Sequence, residues 1–163
     1  MNFRIGYGYD VHAFQEGGSF WLGGIIIPHS KSCVAHSDGD VLIHAICDAI
    51  LGAAALRDIG FHFPDNSSEF KNIDSKILLK KTHQLLKEKD YTISNIDSTI
   101  CLQQPKIKNY IPEMINVLAD VLDLDVNQVS VKATTTEKLG FEGREEGISA
   151  SAIVLIYKNK AND

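Results

Sequence analysis

The chain has 163 residues, 44% apolar and 23% charged, enough to bury roughly two-thirds of its unfolded surface as one domain, 1–163, without disulfides. A net charge of −5 and the lack of any Lys/Arg cluster exclude nucleic acid and anionic membrane as partners. Cys33, Cys47 and Cys101 are odd in number and lack C-x-x-C spacing, so they read as reduced thiols; with no leader and no apolar run of membrane-spanning length, a cytoplasmic location is expected.

The first element is a strand. In Arg4-Ile-Gly-Tyr-Gly-Tyr-Asp-Val-His12, Ile5, Tyr7, Tyr9 and Val11 alternate with Gly6, Gly8, Asp10 and His12, a period of two. One face is therefore apolar. On the other, Asp10 and His12 emerge side by side behind two glycines that leave the space before them bare of side chains. A carboxylate and an imidazole so placed supply two ligands of a catalytic zinc site, which uses three and leaves a position open. Leu22 to Pro28 then reads as a turn and a short strand.

A helix follows His36-Ser-Asp-Gly-Asp40. Leu42, Ala45, Ile46, Ala49, Ile50 and Ala53 form its core stripe, while Asp40, His44 and Asp48 line another face at i, i+4 and i+8. His44 is the best third ligand, with Asp40 or Asp48 expected to orient it. His36, Ser37 and Asp38 would lie at the helix opening, where free N–H groups favour an anion. Cys33, three residues before His36, reads as a packed thiol rather than a ligand.

From Asp58 to Asn72 the chain is too polar for core and suits a binding loop. Asp74 or Ser75 caps the next helix, its buried stripe expected at Ile77, Leu78, Thr82, Leu85 and Leu86. A strand runs from Ile93 to Gln103. Pro112 opens a helix buried through Ile111, Met114, Ile115, Leu118 and Leu122. Val129 to Thr136 is a strand, and Ile148 to Tyr157 is the last, apolar on both faces and so covered twice, by helices and by another sheet or subunit. The fold class is α+β: a mixed sheet with helices on one face, in an oligomer. The strand end Thr134-Thr135-Thr136-Glu137 suits phosphate oxygens and a hard cation. Gly140-Phe141-Glu-Gly143-Arg144 is a glycine-punctuated turn presenting one arginine. Gly6-Tyr-Gly8 is no dinucleotide fingerprint, since residue 11 is Val and no helix follows.

Taken in order, these motifs resemble the 2-C-methyl-D-erythritol 2,4-cyclodiphosphate synthase family of the non-mevalonate isoprenoid pathway. The likeness spans Arg4 to Ile148. Its strongest stretches are His36 to Asp40, Asp58-Ile59-Gly60 with Phe63-Pro64-Asp65, Lys132 to Gly140, and Gly143-Arg144. The resemblance implies a homotrimer with active sites between subunits. Its substrate would be 4-diphosphocytidyl-2-C-methyl-D-erythritol 2-phosphate, giving the cyclic diphosphate and CMP, as a phosphorus–oxygen lyase does.

By the same resemblance, Asp10, His12 and His44 bind Zn²⁺, and Glu137 binds a second cation, Mg²⁺ or Mn²⁺, on the diphosphate. His36 and Thr135 take catalytic positions, and Ser37 holds phosphate oxygens. Asp58, Ile59, Gly60, Phe63, Pro64 and Asp65 face the methylerythritol and ribose portions. Leu102, Gln103, Gln104, Pro105, Lys106, Ile107 and Lys108, with Thr134 and Thr136, take the cytidine diphosphate from the neighbouring subunit. Phe141 and Arg144 lie near the trimer axis, where family members hold phosphate or an isoprenoid diphosphate. Leu102 departs from the small residue usual in the family and is expected to narrow the cytosine pocket. Two other functions use the same triad: a zinc-dependent phosphohydrolase that activates water, and a non-catalytic trimeric metal- or anion-binding protein. A structural zinc site has four protein ligands, which weighs against the second.

Overall fold

A computed structural model describes residues 2–64, 66 and 70–158. In chain order the elements are β1 (Phe3–Glu16), β2 (Phe20–Leu22), β3 (Ile25–Ile27), β4 (Lys31–Cys33), α1 (Val41–Ala53), α2 (Ile59–His62), α3 (Ser75–Lys87), β5 (Tyr91–Cys101), α4 (Ile111–Leu122), β6 (Val129–Thr134), α5 (Gly140–Gly143) and β7 (Gly147–Lys158). Five strands form one sheet in the order β4-β1-β7-β5-β6, and β2 and β3 form a separate hairpin. β1 and β7 pair antiparallel from Phe3↔Tyr157 to Ala13↔Gly147. β5 runs antiparallel to β7 and parallel to β6, so the sheet is mixed as expected. The parallel pair requires a crossover, which α4 supplies.

Helix α1 is buried almost all round, not along one stripe: Ile43, Cys47 and Leu51 are as inaccessible as Leu42, Ala45 and Ile46. It packs on β1 and β7, with α3 beside it. Its N-cap is Asp40, whose buried carboxylate accepts hydrogen bonds from the backbone N–H groups of Ile43 (3.0 Å), Gly23 (3.0 Å) and Gly24 (2.6 Å). One side chain thus closes a helix start and the Gly23-Gly24 turn of the β2–β3 hairpin, both glycines having positive φ. Burial raises the Asp40 carboxyl above its ordinary range, and the three donors oppose that shift only in part.

The glycine face of β1 is the buried one. Ile5, Tyr7, Tyr9 and Val11 are 71%, 63%, 50% and 45% exposed, whereas Gly6 and Gly8 are buried. The glycines do not leave space before the strand; helix α1 fills it. A Cβ on Gly6 would lie 1.8 Å from the Ala49 carbonyl oxygen, and one on Gly8 1.9 Å from that of Ala45. Burying Gly6 and Gly8 seats helix backbone directly on strand backbone, and Asp10 and His12 continue that helix-facing row. The opposite face of β1 and β7, with Ile5, Tyr7, Tyr9, Val11 and Ile153, is open in the single chain.

Two helix stripes also differ. In α3, Ser75, Leu78, Leu79, Thr82, His83 and Leu86 are buried, while Ile77 is exposed and Leu85 half-buried. In α4, Met114, Leu118, Ala119 and Leu122 are buried, and Ile111 and Ile115 pack at the margin of the core. Free Cys33 and Cys47 are packed thiols as expected, with burial pushing both up to about 12. No helix among the described residues is long and apolar enough to cross a membrane.

Candidate active site

Asp10 and His12 project from the same face of β1 toward α1, which presents His44 one turn after its cap. Asp10 Oδ2 lies 3.1 Å from His12 Nε2 and 3.0 Å from His44 Nδ1, and the two ring nitrogens are 3.1 Å apart. These three form the one group of His, Cys, Asp and Glu among the described residues able to hold a metal ion. Donors of a tetrahedral zinc site, at 2.0–2.2 Å from the ion, stand roughly 3.3 Å from each other. Two imidazoles and one carboxylate at nearly that spacing fit a divalent cation. Burial works to raise the Asp10 carboxyl, but hydrogen bonds from His12 and His44, with their charge attraction, outweigh it and hold the group below the ordinary carboxylate range. Burial likewise opposes charge on His44. There the bond to Asp10 and the nearby Asp10, Asp40 and Asp38 carboxylates prevail and raise the imidazole.

The triad opens onto a cleft of about 410 Å³. Its walls include His36 and Ser37 from the approach to α1, Ile59, Gly60 and Phe63 around α2, and Phe70, Ile73 and Leu78 beyond. The second wall is fixed by carboxylates: Asp48 accepts from Ile59 N (2.7 Å) and Asp58 from Phe61 N (2.9 Å). The Asp58–Asn72 segment therefore folds in part as helix α2 and lines the cleft. Asp65 lies outside the described residues.

Neither expected carboxylate bonds the His44 ring. Asp40 is committed to the helix cap and the hairpin, and Asp48 holds Ile59. His44 Nε2 instead meets Ser75 Oγ at 3.0 Å and Ser37 Oγ at 3.2 Å. Ser75, fully buried at the start of α3, is the residue that sequence reading assigned only to capping. A serine beside the cap residue of a helix gave no sign that it would reach a histidine 31 positions away.

The remaining candidates lie elsewhere. Thr135 Oγ1 donates to Glu137 Oε1 (2.7 Å), and Thr136 Oγ1 to the Leu139 carbonyl, in an exposed turn where Glu137 and Lys138 have positive φ. Leu102 joins this turn through its N–H to the Thr134 carbonyl (3.0 Å), and Lys138 N reaches Gln103 Oε1 at 3.4 Å. The side chains of Leu102 and Ile107 are in the core, each 4% exposed. Leu102 therefore packs inward and does not stand in an open pocket of this chain. Arg144 makes a two-pronged ion pair with Glu146 (3.0 Å for each contact), and Ser149 Oγ donates to Glu142 (2.7 Å). The turn after β6 lies at the triad's level in the sheet, since Val11 pairs with Ser149, Ser149 with Cys101, and Cys101 with Thr134. Three strand spacings separate them, roughly 14 Å.

Residues 3–157 match the YgbB family. The chain belongs to this family. Among relatives it is 62% identical over 158 residues to the 2-C-methyl-D-erythritol 2,4-cyclodiphosphate synthase of Bacteroides fragilis, covering 97% of this chain and 99% of that one. It is 57% identical over 153 residues to the synthase of that name from Acinetobacter baumannii, covering 94% and 96%. The bifunctional IspDF of Campylobacter jejuni superposes with a TM-score of 0.94 at 44% identity; 97% of this chain is covered, and it spans 43% of that longer one. The CDP complex of Plasmodium falciparum IspF gives 0.85 at 38% identity, covering 97% and 98%. In this YgbB-family chain, the β1–α1 triad and the cleft beside it are the site on which a function can be argued.

Proposed function

We propose that the chain is a 2-C-methyl-D-erythritol 2,4-cyclodiphosphate synthase. It would convert 4-diphosphocytidyl-2-C-methyl-D-erythritol 2-phosphate to the cyclic diphosphate with release of CMP, in the non-mevalonate route to isoprenoids. The observation that carries this reading is a three-donor triad with one open side on a cleft, in a chain 62% identical to a synthase of that name along its length. No observation favours a phosphohydrolase or a non-catalytic binding protein.

An oxygen of the substrate's 2-phosphate attacks the β-phosphorus, a new P–O bond closes the ring, and the bond to the α-phosphate oxygen breaks so that CMP leaves with the electron pair. The attacking group is already an anion, so no general base is required. Catalysis then consists of folding the substrate on itself and neutralising charge. Asp10, His12 and His44 would hold Zn²⁺, and Glu137 would hold Mg²⁺ or Mn²⁺. When bound, such ions withdraw charge from phosphate oxygens and fix their positions.

Ser37 accepts from the Gly39 N–H (3.2 Å) and keeps its own proton for a phosphate oxygen. His36, on the same wall, and Thr135 stabilise the transferring group. Asp58, Ile59, Gly60, Phe63, Pro64 and Asp65 hold the methylerythritol, with Ile59 and Phe63 offering apolar surface to its methyl. Residues 102–108 with Thr134 and Thr136 take the cytidine side, the base being read by backbone groups because the Leu102 side chain is in the core.

The Val11 and Thr134 backbones stand three strands apart, roughly 14 Å, which sets the turn bearing Glu137 well away from the triad of the same chain. This supports active sites shared between subunits of a homotrimer, with residues 1–163 forming one catalytic domain. The open apolar face of β1 and β7 is the surface such an assembly would bury, and Phe141 and Arg144 would then approach its axis, near phosphate or an isoprenoid diphosphate.

Incubation with the cytidylyl substrate, Zn²⁺ and Mg²⁺ tests the function. CMP with the cyclic product is expected. Inorganic phosphate would show a hydrolase, and no turnover by metal-loaded protein would leave only a binding role.

A further inference from the structure

The two ring nitrogens of His44 face opposite ways, and the hydrogen bonds on the far side determine what the near side can do. Nδ1 points at Asp10 and His12. Nε2 points at the hydroxyls of Ser75 and Ser37. A hydroxyl has one proton to give. Ser75 gives it to Asp38, with Oγ 2.5 Å from Asp38 Oδ1. Asp38 is held in place for this: its Oδ2 accepts the backbone N–H of Ser75 (2.9 Å) and its Oδ1 that of Asp40 (3.2 Å). Ser75 Oγ therefore has only a lone pair left for His44. Ser37 Oγ, already accepting from Gly39, stands on the same nitrogen.

From this we infer that Ser75, locked by Asp38, is the positioning residue that accepts the His44 Nε2–H and so fixes the ring with Nδ1 turned toward a metal. A carboxylate commonly orients a ligating histidine directly; here a buried serine is interposed. The consequence is structural as well as electronic. Asp38 precedes α1 and Ser75 begins α3, so the Asp38–Ser75–His44 chain ties the first turns of both helices to one ligand. The inference rests on the reading of the triad as a metal site; in the metal-free protein the Asp10 carboxylate, 3.0 Å from Nδ1, competes for the ring proton, so the Nε2–H bond is read in the zinc-loaded protein.

The test uses the full chain with ¹⁵N-labelled histidine, with and without Zn²⁺. In the zinc-loaded wild type the His44 Nε2–H should give a resolved ¹H resonance, protected from exchange by its bond to Ser75. Ser75→Ala should lose that protection and weaken zinc binding in calorimetry by about 10- to 100-fold. Asp38→Asn, which exchanges one of two accepting oxygens for an NH₂ without changing shape, should do the same to a lesser degree and serves if Ser75→Ala does not fold. Ser37→Ala, which removes the other hydroxyl on Nε2, should leave the protected resonance in place. Unchanged protection and zinc affinity in both Ser75→Ala and Asp38→Asn overturn the inference. Failure of the metal reading would appear differently: wild-type protein that takes up no zinc.

Discussion

At the scale of single residues, the pairing of Asp10 with His44 gives the metal-free protein and the metal-bound protein opposite responses to pH. His44 is raised above its ordinary value, so its share of stability is full below roughly pH 6.5 and is lost as pH rises through the raised folded value. Asp10 is lowered, so its share is present above roughly pH 4 and is lost as pH falls toward its folded value. Metal-free protein should therefore be favoured by this pair between those limits. Metal requires the neutral imidazole, so binding displaces the His44 proton. The rise in Tm on adding Zn²⁺ should grow from pH 6 to pH 8.5 and be abolished in His44→Ala, as scanning calorimetry would show. A zinc-induced shift equally large at pH 6 and 8.5 would mean that His44 is not a ligand. Glu137 answers to a different cation. Glu137→Gln should leave the zinc content intact while turnover falls roughly 100-fold, because it removes a charge opposite the diphosphate and no zinc ligand. Metal analysis beside a rate measurement separates the two, and joint loss of zinc and activity would assign Glu137 to the first site.

At the scale of elements, α1 lies against β1 backbone to backbone at Gly6 and Gly8. Gly8→Ala would put a Cβ 1.9 Å from the Ala45 carbonyl oxygen, where only backbone can move aside. The expected cost is about 3 kcal/mol or more in urea unfolding. Gly17→Ala is the matched comparison: nothing lies within 4 Å of its Cβ, and only its positive φ resists, for about 1 kcal/mol. Equal losses would mean that helix and strand can separate freely. This contact also explains which parts of the molecule were legible beforehand. Period-two and period-3.6 patterns placed β1, α1, α3 and α4, and the D-x-H spacing put two ligands on one face. Alternation does not say which face is inward. Ile, Tyr and Val look like core and glycine looks like empty space, yet helix backbone can bury glycine only when no side chain intervenes. His44 could be found because i, i+4 spacing exposes a helix face. Ser75 could not, because its partnership with His44 depends on how α3 is laid against α1, and no local pattern records that.

At the scale of the whole molecule, one side of the sheet is clothed by helices and the other is bare. Phe3, Ile5, Tyr7, Tyr9, Val11 and Ile153 are each between 45% and 71% exposed in the single chain. Contiguous apolar surface of this kind usually marks an interface. Around a cyclic axis, a homotrimer would bury it three times and bring the triad of one chain toward the Thr134–Glu137 turn of the next. Sharing of this kind can be tested without seeing the assembly. His44→Ala chains keep the nucleotide half and Thr135→Ala chains keep the metal half, so each alone should be inactive. Unfolded together in equal amounts and refolded, about three-quarters of random trimers would be mixed, and each mixed trimer would have one boundary in three with both halves intact. Activity should return to about a quarter of wild type. If the triad and Glu137 acted within one chain, every chain in the mixture would still be broken and no activity would appear. A dimer would give the same value: half of the dimers would be mixed, each with one intact boundary in two, which again totals about a quarter. Recovered activity therefore establishes sharing, and sedimentation of the refolded mixture must supply the number of chains. A trimer mass with a quarter of the activity fits the proposed assembly, and a dimer mass with the same activity would keep the shared site but replace the threefold axis by a twofold one.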